Sequence, residues 1–304
     1  MTQPMIELNR VSKRFGEHPV LREFSMTVGR GEIVGLLGPN GSGKTTSIRL
    51  MNGVMKPDGG AITMAGYDPV HDGEPIRRMS GMMTESAGFY LNMTGLQNLQ
   101  LFADLYGVTD SHRPLELLEE FGLAGARDQK VGTYSTGMKK RLGLAKALLH
   151  RPEILFLDEP TNGLDPEGIR MVLAHIVELN RRHGTTMILC SHLLQQLETV
   201  CHRYVFITGG RVIEQGTLAE LEERHVKEAV LQVETDLALQ GGSYRGMAAR
   251  RTDDGHVEFT LPGKAAVPEF LRALTREANV YGATLVNQDL ESLYFKIREV
   301  ARHE

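Results

Sequence analysis

The segment Gly38-Pro39-Asn40-Gly41-Ser42-Gly43-Lys44-Thr45-Thr46 constrains this chain more than any other stretch of it. It fits the pattern G-x-x-x-x-G-K-[ST]. It follows the apolar run Glu32-Ile33-Val34-Gly35-Leu36-Leu37, which has strand length, and precedes a stretch from Lys44 to about Asn52 that reads as a helix. Strand, glycine-rich turn and helix in that order let consecutive backbone N–H groups converge on one anion. The glycines allow the turn without a Cβ clash, and the helix aims its positive end at the same place. The segment therefore predicts a cradle for nucleotide phosphates, with Lys44 near the β- and γ-phosphates, Thr45 as a Mg²⁺ ligand and Thr46 as a donor to the α-phosphate. A turn that merely closed a strand–helix corner would have no use for the Lys-Thr pair.

A second apolar run of strand length, Glu153-Ile154-Leu155-Phe156-Leu157, begins after the break at Pro152 and ends in Asp158-Glu159. An acid at the end of such a strand is where phosphate-loop enzymes hold Mg²⁺, here Asp158. A carboxylate next to it can orient and deprotonate the attacking water, which makes Glu159 the expected general base.

Around these two segments strands and helices alternate. Strands are expected at 5–11, 20–28, 61–64, 185–190, 204–207 and 211–214, and helices at 167–183 and 193–201, implying a largely parallel sheet covered on both faces. Leu96, Leu99, Ala103 and Tyr106 recur at helical spacing and read as core. After about Arg224 the pattern changes. Segments 229–234 and 256–261 alternate like half-buried antiparallel strands, followed by a helix at 267–277, a strand at 283–287 and a helix at 290–301. The expected domains are therefore 1–224 and a small α+β module at 225–304.

Composition bounds the alternatives. A chain of 304 residues has room for two domains, and its formal charge of −4 gives no broad cationic footprint, so no nucleic acid is expected as a partner. The two cysteines, Cys190 and Cys201, read as packed thiols of a reducing compartment. The opening residues MTQPMIELNR lack the apolar stretch of a signal peptide, and no segment nears the roughly 20 apolar residues of a spanning helix. If the work concerns a membrane, another chain must cross it.

The ordered set of the phosphate loop, Tyr134-Ser135-Thr136-Gly137-Met138, Asp158-Glu159, Asn162-Gly163-Leu164-Asp165 and Ser191-His192 resembles the ATP-binding cassette (ABC) family over about residues 5–220. The resemblance implies an α/β, P-loop NTPase fold with a RecA-like core, an antiparallel β subdomain and a helical subdomain at about 86–150. It implies an ATPase using ATP and Mg²⁺ in a homodimer, or a heterodimer with a related ATPase. Ser135 and Gly137, at the start of a signature helix, would meet the γ-phosphate bound by the other subunit. His192 would contact the γ-phosphate and the general base, Asp165 would lie in the loop coupling the two sites, and Phe15 would stack on adenine, with an ordinary core aromatic as the bland alternative for Phe15. Catalytic roles thus fall to Glu159, His192 and Lys44.

Two positions depart from the family's usual pattern: the signature reads Ser-Thr-Gly-Met, and Glu85 stands where a glutamine normally touches Mg²⁺. Glu85 keeps an oxygen ligand, loses an amide donor and adds charge. These departures, with the C-terminal module, resemble the ATPase subunits of bacterial multidrug, antibiotic and bacteriocin exporters. That implies a peripheral subunit at the cytoplasmic face of the membrane, with a separate integral permease docked near residues 86–107. Cassettes serving DNA repair or translation would carry coiled-coil insertions, zinc-binding cysteines or two cassettes in one chain, and none is visible. A nucleotide sensor that does not hydrolyse is disfavoured by Glu159 and His192.

Overall fold

The computed structural model describes residues 3–84, 88–191, 193–239 and 241–303. Glu85 and His192, two of the expected site residues, lie outside them. The chain divides into two compact units, Met1–Gln215 and Gly216–Glu304.

The first unit holds two sheets. Strands β1 (Ile6–Phe15) and β2 (His18–Val28) form a hairpin, and β4 (Gly59–Met64) pairs with the other edge of β1, all antiparallel. Ile6 and Leu8 alternate into the core. A register irregularity then places Arg10 at positive φ, and Val11 rather than the next residue in phase turns inward.

The larger sheet has the order β5-β6-β7-β3-β8-β9, with β3 at Ile33–Leu37, β5 at Ser80–Met83, β6 at Ile154–Asp158, β7 at Thr186–Cys190, β8 at Arg203–Thr208 and β9 at Arg211–Gly216. The pairs β5–β6, β6–β7, β7–β3 and β3–β8 are parallel. Every residue of β3, β6 and β7 is buried, the burial a parallel strand acquires when both faces are covered. Helix α1 (Lys44–Met51) sends Ile48, Leu50 and Met51 into a core shared with Phe24, Met26, Val34 and Ile188, so it links the two sheets.

A helical region follows β5, which is itself preceded by α2 (Gly73–Met79). Its members are α3 (Gly95–Tyr106), α4 (Arg113–Glu120) and α5 (Thr136–Ala147). Thr94 and Gln97 close a reciprocal capping box on α3, and the Ser135 hydroxyl accepts from Met138 N–H to cap α5. Leu99 and Ala103 are buried as expected and Leu96 is half-buried. Tyr106 is not core: it is 42% exposed, its ring 4.6 Å from that of His150. Helices α6 (Pro166–His183) and α7 (Leu194–Glu198) complete the unit.

The second unit begins with α8 (Leu218–His225), a helix that spans the expected boundary at 224 and is capped by a Thr217–Glu220 box. This helix packs with α10 (Leu290–His303), which moves the boundary from 224 to after Gln215. Its sheet has the order β11-β12-β13-β10-β14: Ser243–Tyr244, Met247–Arg251, Val257–Leu261, Ala229–Thr235 and Val280–Leu285. Strand β12 carries no strand pattern in its sequence, because Met-Ala-Ala-Arg-Arg has no alternation. Strand β14 starts three residues earlier than expected, at Val280 rather than 283. Leu231, Val233, Val257 and Phe259 pack under α9 (Val267–Leu274), where Phe270 and Leu274 close the core.

Candidate functional site

The larger sheet brings the chemistry to one edge. The carboxyl ends of β3, β7 and β6 are neighbours in that order, so the loop after β3, Ser191 after β7 and Asp158 at the end of β6 emerge side by side. This is the edge at which open parallel sheets bind ligands. A cavity of about 310 Å³ lies there, lined by residues 40–46 of the glycine-rich loop together with Asp158, Glu159 and Val20.

The loop is shaped by its glycines. Gly43 sits at φ 107°, and a Cβ there would fall 2.5 Å from Leu21 Cδ2; Gly41 is at φ 77°. A Cβ on Gly38 would lie 2.3 Å from the Ile207 carbonyl oxygen. No alanine fits at 38 or 43 without displacing backbone or core, so glycine is required for the loop's tight path around the cavity. Lys44, the first residue of α1 and 8% exposed, donates to the carbonyl oxygens of Gly38 at 2.7 Å and Pro39 at 3.1 Å. The Ser42 hydroxyl is buried with no protein partner, an unsatisfied polar group of the kind a phosphate oxygen would complete.

The Thr45 hydroxyl donates to Asp158 Oδ2 at 2.9 Å, and Asp158 is 8% exposed. Two oxygens from separate elements are thus paired beside the phosphate cradle, a hard donor set that fits Mg²⁺ completed by phosphate oxygens and water. Cys190 is register partner to Asp158, and burial, followed by that carboxylate, pushes its thiol well above the ordinary range. Burial raises Cys201 as well, so both cysteines are inert packed thiols.

Glu159 is half-buried and has a left-handed backbone, φ 51°, a conformation that costs a non-glycine residue about 1–3 kcal/mol. Its N–H donates to the Cys190 carbonyl at 2.8 Å, and its own carbonyl accepts from Lys140 Nζ at 2.8 Å and from Asn162 N–H at 3.4 Å. Sequence reasoning missed both Lys140 and Val20. Lys140 stands in the basic run Lys139-Lys140-Arg141, yet only 8% of it is exposed.

Other expected residues lie apart from this cavity. Ser135 is exposed and Gly137 half-exposed at the start of α5, and neither lines it. Phe15 ends β1, 45% exposed, with Lys13 Nζ 5.8 Å from its ring centroid; it is no core aromatic. Asp165 caps α6, its carboxylate accepting from Gly168 N–H at 2.9 Å. Among the described residues no cluster of three His, Cys, Asp or Glu could hold a metal ion alone, and no helix is long and apolar enough to cross a membrane.

A second cleft, of about 810 Å³, opens among α2, the end of α3 and residues 149–151; Arg78, Leu105, Tyr106, Arg113 and His150 line it. Burial holds the His150 imidazole below its ordinary range, against a partly compensating contact between Nε2 and the Ser80 carbonyl at 3.0 Å.

The fold and the phosphate-loop site define a nucleotide-binding ATPase cassette. Residues 21–162 match the family model described as ABC transporter. The chain is 36% identical to the uncharacterized ABC transporter ATP-binding protein YdbJ of Bacillus subtilis, over 100% of this chain and 98% of that one. It is 36% identical to the bacitracin transport ATP-binding protein BcrA of Enterococcus faecalis, over 73% of this chain and 72% of BcrA. Its fold is that of a dimeric ATP-binding cassette solved in a post-hydrolysis state with ADP and Pi. That similarity has TM-score 0.65 and 24% identity, and covers 70% of this chain and 98% of that one. The chain belongs to the ABC transporter family, as an ATP-binding subunit with ATPase activity.

Proposed function

We propose that the chain binds MgATP in the 38–46 cradle, hydrolyses it with Glu159 as general base, and powers export through a separate membrane subunit. The observation that carries this reading is the convergence of Lys44, Thr45, Asp158 and Glu159 on one cavity at the carboxyl edge of the sheet. Lys44 and the loop N–H groups neutralise the β- and γ-phosphates, and Thr46 binds the α-phosphate. Thr45 and Asp158 would hold Mg²⁺, which would supply charge neutralisation at the phosphates. Glu159 orients the attacking water and takes its proton. Phe15, exposed at the end of β1, offers its face to adenine. Glu85 and His192 lie outside the described residues, and their roles toward the metal and the γ-phosphate rest on the family resemblance alone.

Each ATP is shared between two copies of the chain, or between this chain and a related ATPase. The exposed Ser135 cap and Gly137 point to that arrangement, because they lie outside their own chain's phosphate cavity; the similar cassette was solved as a dimer. The permease docks at the helical region, where Tyr90, Leu91 and Leu105 are 54%, 55% and 68% exposed and the larger cleft opens. A role in transport follows the bacitracin transport relative, while export and placement at the cytoplasmic face of a bacterial membrane rest on the exporter resemblance of the sequence. In size-exclusion chromatography with ATP, Glu159→Gln should elute at twice the mass of the ATP-free chain, and adding Ser135→Arg should return it to monomer. A dimer indifferent to ATP and to Ser135 would overturn the shared site.

A further inference from the structure

The helix that opens with Ser135 and the segment that carries the general base lie against each other at three successive points. A Cβ built on Gly163 meets Thr136 Cγ2 at 3.1 Å, and one built on Gly137 meets Leu164 Cδ2 at 3.4 Å. One turn further along α5, the Lys140 ammonium donates to the Glu159 carbonyl at 2.8 Å. Residues 159–164 therefore run beside the first two turns of α5. Gly137 and Gly163 keep the approach close, and the Lys140 bond is its only charged element among those three points.

The bond falls on a backbone that needs holding. Glu159 adopts φ 51°, a conformation its own side chain does not favour, and leaving it would swing the carboxylate away from the cavity that Asp158 and Thr45 line. A buried ammonium is costly unless it is hydrogen-bonded, so a lysine that is 8% exposed in this place has a specific partner rather than a solvated role.

We propose that Lys140 is a positioning residue for hydrolysis: it fixes the Glu159 backbone in its left-handed conformation and ties it to the signature helix. The inference rests on the reading of Glu159 as general base and of Ser135 and Gly137 as contacts to a second ATP. On that reading α5 touches both sites at once, its N-terminal turn meeting the nucleotide held by the other subunit and its next turn holding the base of its own. A rigid turn of helix then relays occupancy of one site to the geometry of the other.

The test compares single-turnover hydrolysis of bound ATP by the full chain in the wild type, Lys140→Met, Lys140→Arg and Glu159→Gln, with ATP affinity measured alongside. Lys140→Met keeps the length and apolar stem without the donor, and a misplaced base slows the step on the order of 10- to 100-fold. The expected pattern is that loss at an ATP affinity within about threefold of the wild type, with most of the rate retained in Lys140→Arg, which keeps donor and charge. An unchanged Lys140→Met rate overturns the proposal. So does a rate that falls only in step with ATP affinity and thermal stability, which would make Lys140 a packing residue. Glu159→Gln separates the two levels: if it hydrolyses like the wild type, the general-base reading fails, whereas its inactivity beside a fully active Lys140→Met removes only the positioning role.

Discussion

The two units of this chain use buried polarity in opposite ways. Among the described residues the first buries the charged side chains of Lys44, Lys140 and Asp158 together with Ser42, Ser47, Ser80, Asn98, Thr161, Thr185, Thr186 and Ser191, and of these Ser42, Lys44 and Asp158 line the phosphate cavity. In the second, the buried polar residue among those described is Thr235, whose hydroxyl donates to the Asn279 carbonyl at 2.7 Å and accepts from Leu237 N–H at 3.2 Å. Its core is otherwise aliphatic and aromatic, Phe259 and Phe270 lying 4.7 Å apart by centroid. Desolvated charge is retained where it does work and eliminated where packing alone must hold the fold.

The largest effect that would break this contrast lies in the second unit. Phe259→Ala should cost about 3–5 kcal/mol of stability in chemical denaturation by emptying a core position, while ATP turnover by the folded chain stays unchanged. Turnover falling with the mutation would show that the second core supports the ATPase centre. In the first unit Lys44→Met should act in reverse. ATP affinity should weaken by about 1.5–3 kcal/mol with loss of the charge-assisted phosphate contacts, with stability unchanged or higher because a costly buried ammonium is gone. Isothermal titration and a melting curve decide both halves, and a destabilised variant would make Lys44 a structural residue. Thr235→Val should lower stability by about 1 kcal/mol, since it leaves the Leu237 N–H unpaired, with no effect on hydrolysis.

The smallest effect concerns pH at the second cleft. Burial depresses the folded-state pKa of His150 below its ordinary 6.5, so the unfolded chain binds more protons in mild acid. The His150 contribution is therefore intact above about pH 6.5 and lost as pH falls toward the folded value. Denaturation of His150→Gln across this window should show a shallower acid loss of stability; an unchanged slope would place the titration elsewhere.

Much of this contrast was legible in the sequence. The phosphate loop, Asp158-Glu159 and the apolar strands before them are local patterns, and the fold placed them as expected because parallel strands sandwiched by helices must be apolar throughout. What could not be read depends on approach between distant segments. Val20 reaches the cavity from the hairpin of the smaller sheet, and nothing in its neighbourhood marks it. Lys140 meets the Glu159 carbonyl only because α5 lies along residues 159–164. Tyr106 continues an apolar helical stripe but falls at the last residue of α3, where the helix runs out of partners. In the second unit β12 was hidden by two arginines at a position where strand pairing, not side-chain burial, sets the backbone. Helix α8 spans the expected boundary at 224, its start set by the capping box of Thr217 with Glu220.

Glu159 is the residue on which the account turns, strained, half-buried and adjacent to the Thr45–Asp158 pair. Single-turnover hydrolysis by Glu159→Gln, with ATP affinity measured on the same preparation, tests it most directly. The expected result is ATP bound within about threefold of the wild type and hydrolysed at least 100-fold more slowly, the scale of a lost general base. Hydrolysis at the wild-type rate would contradict it.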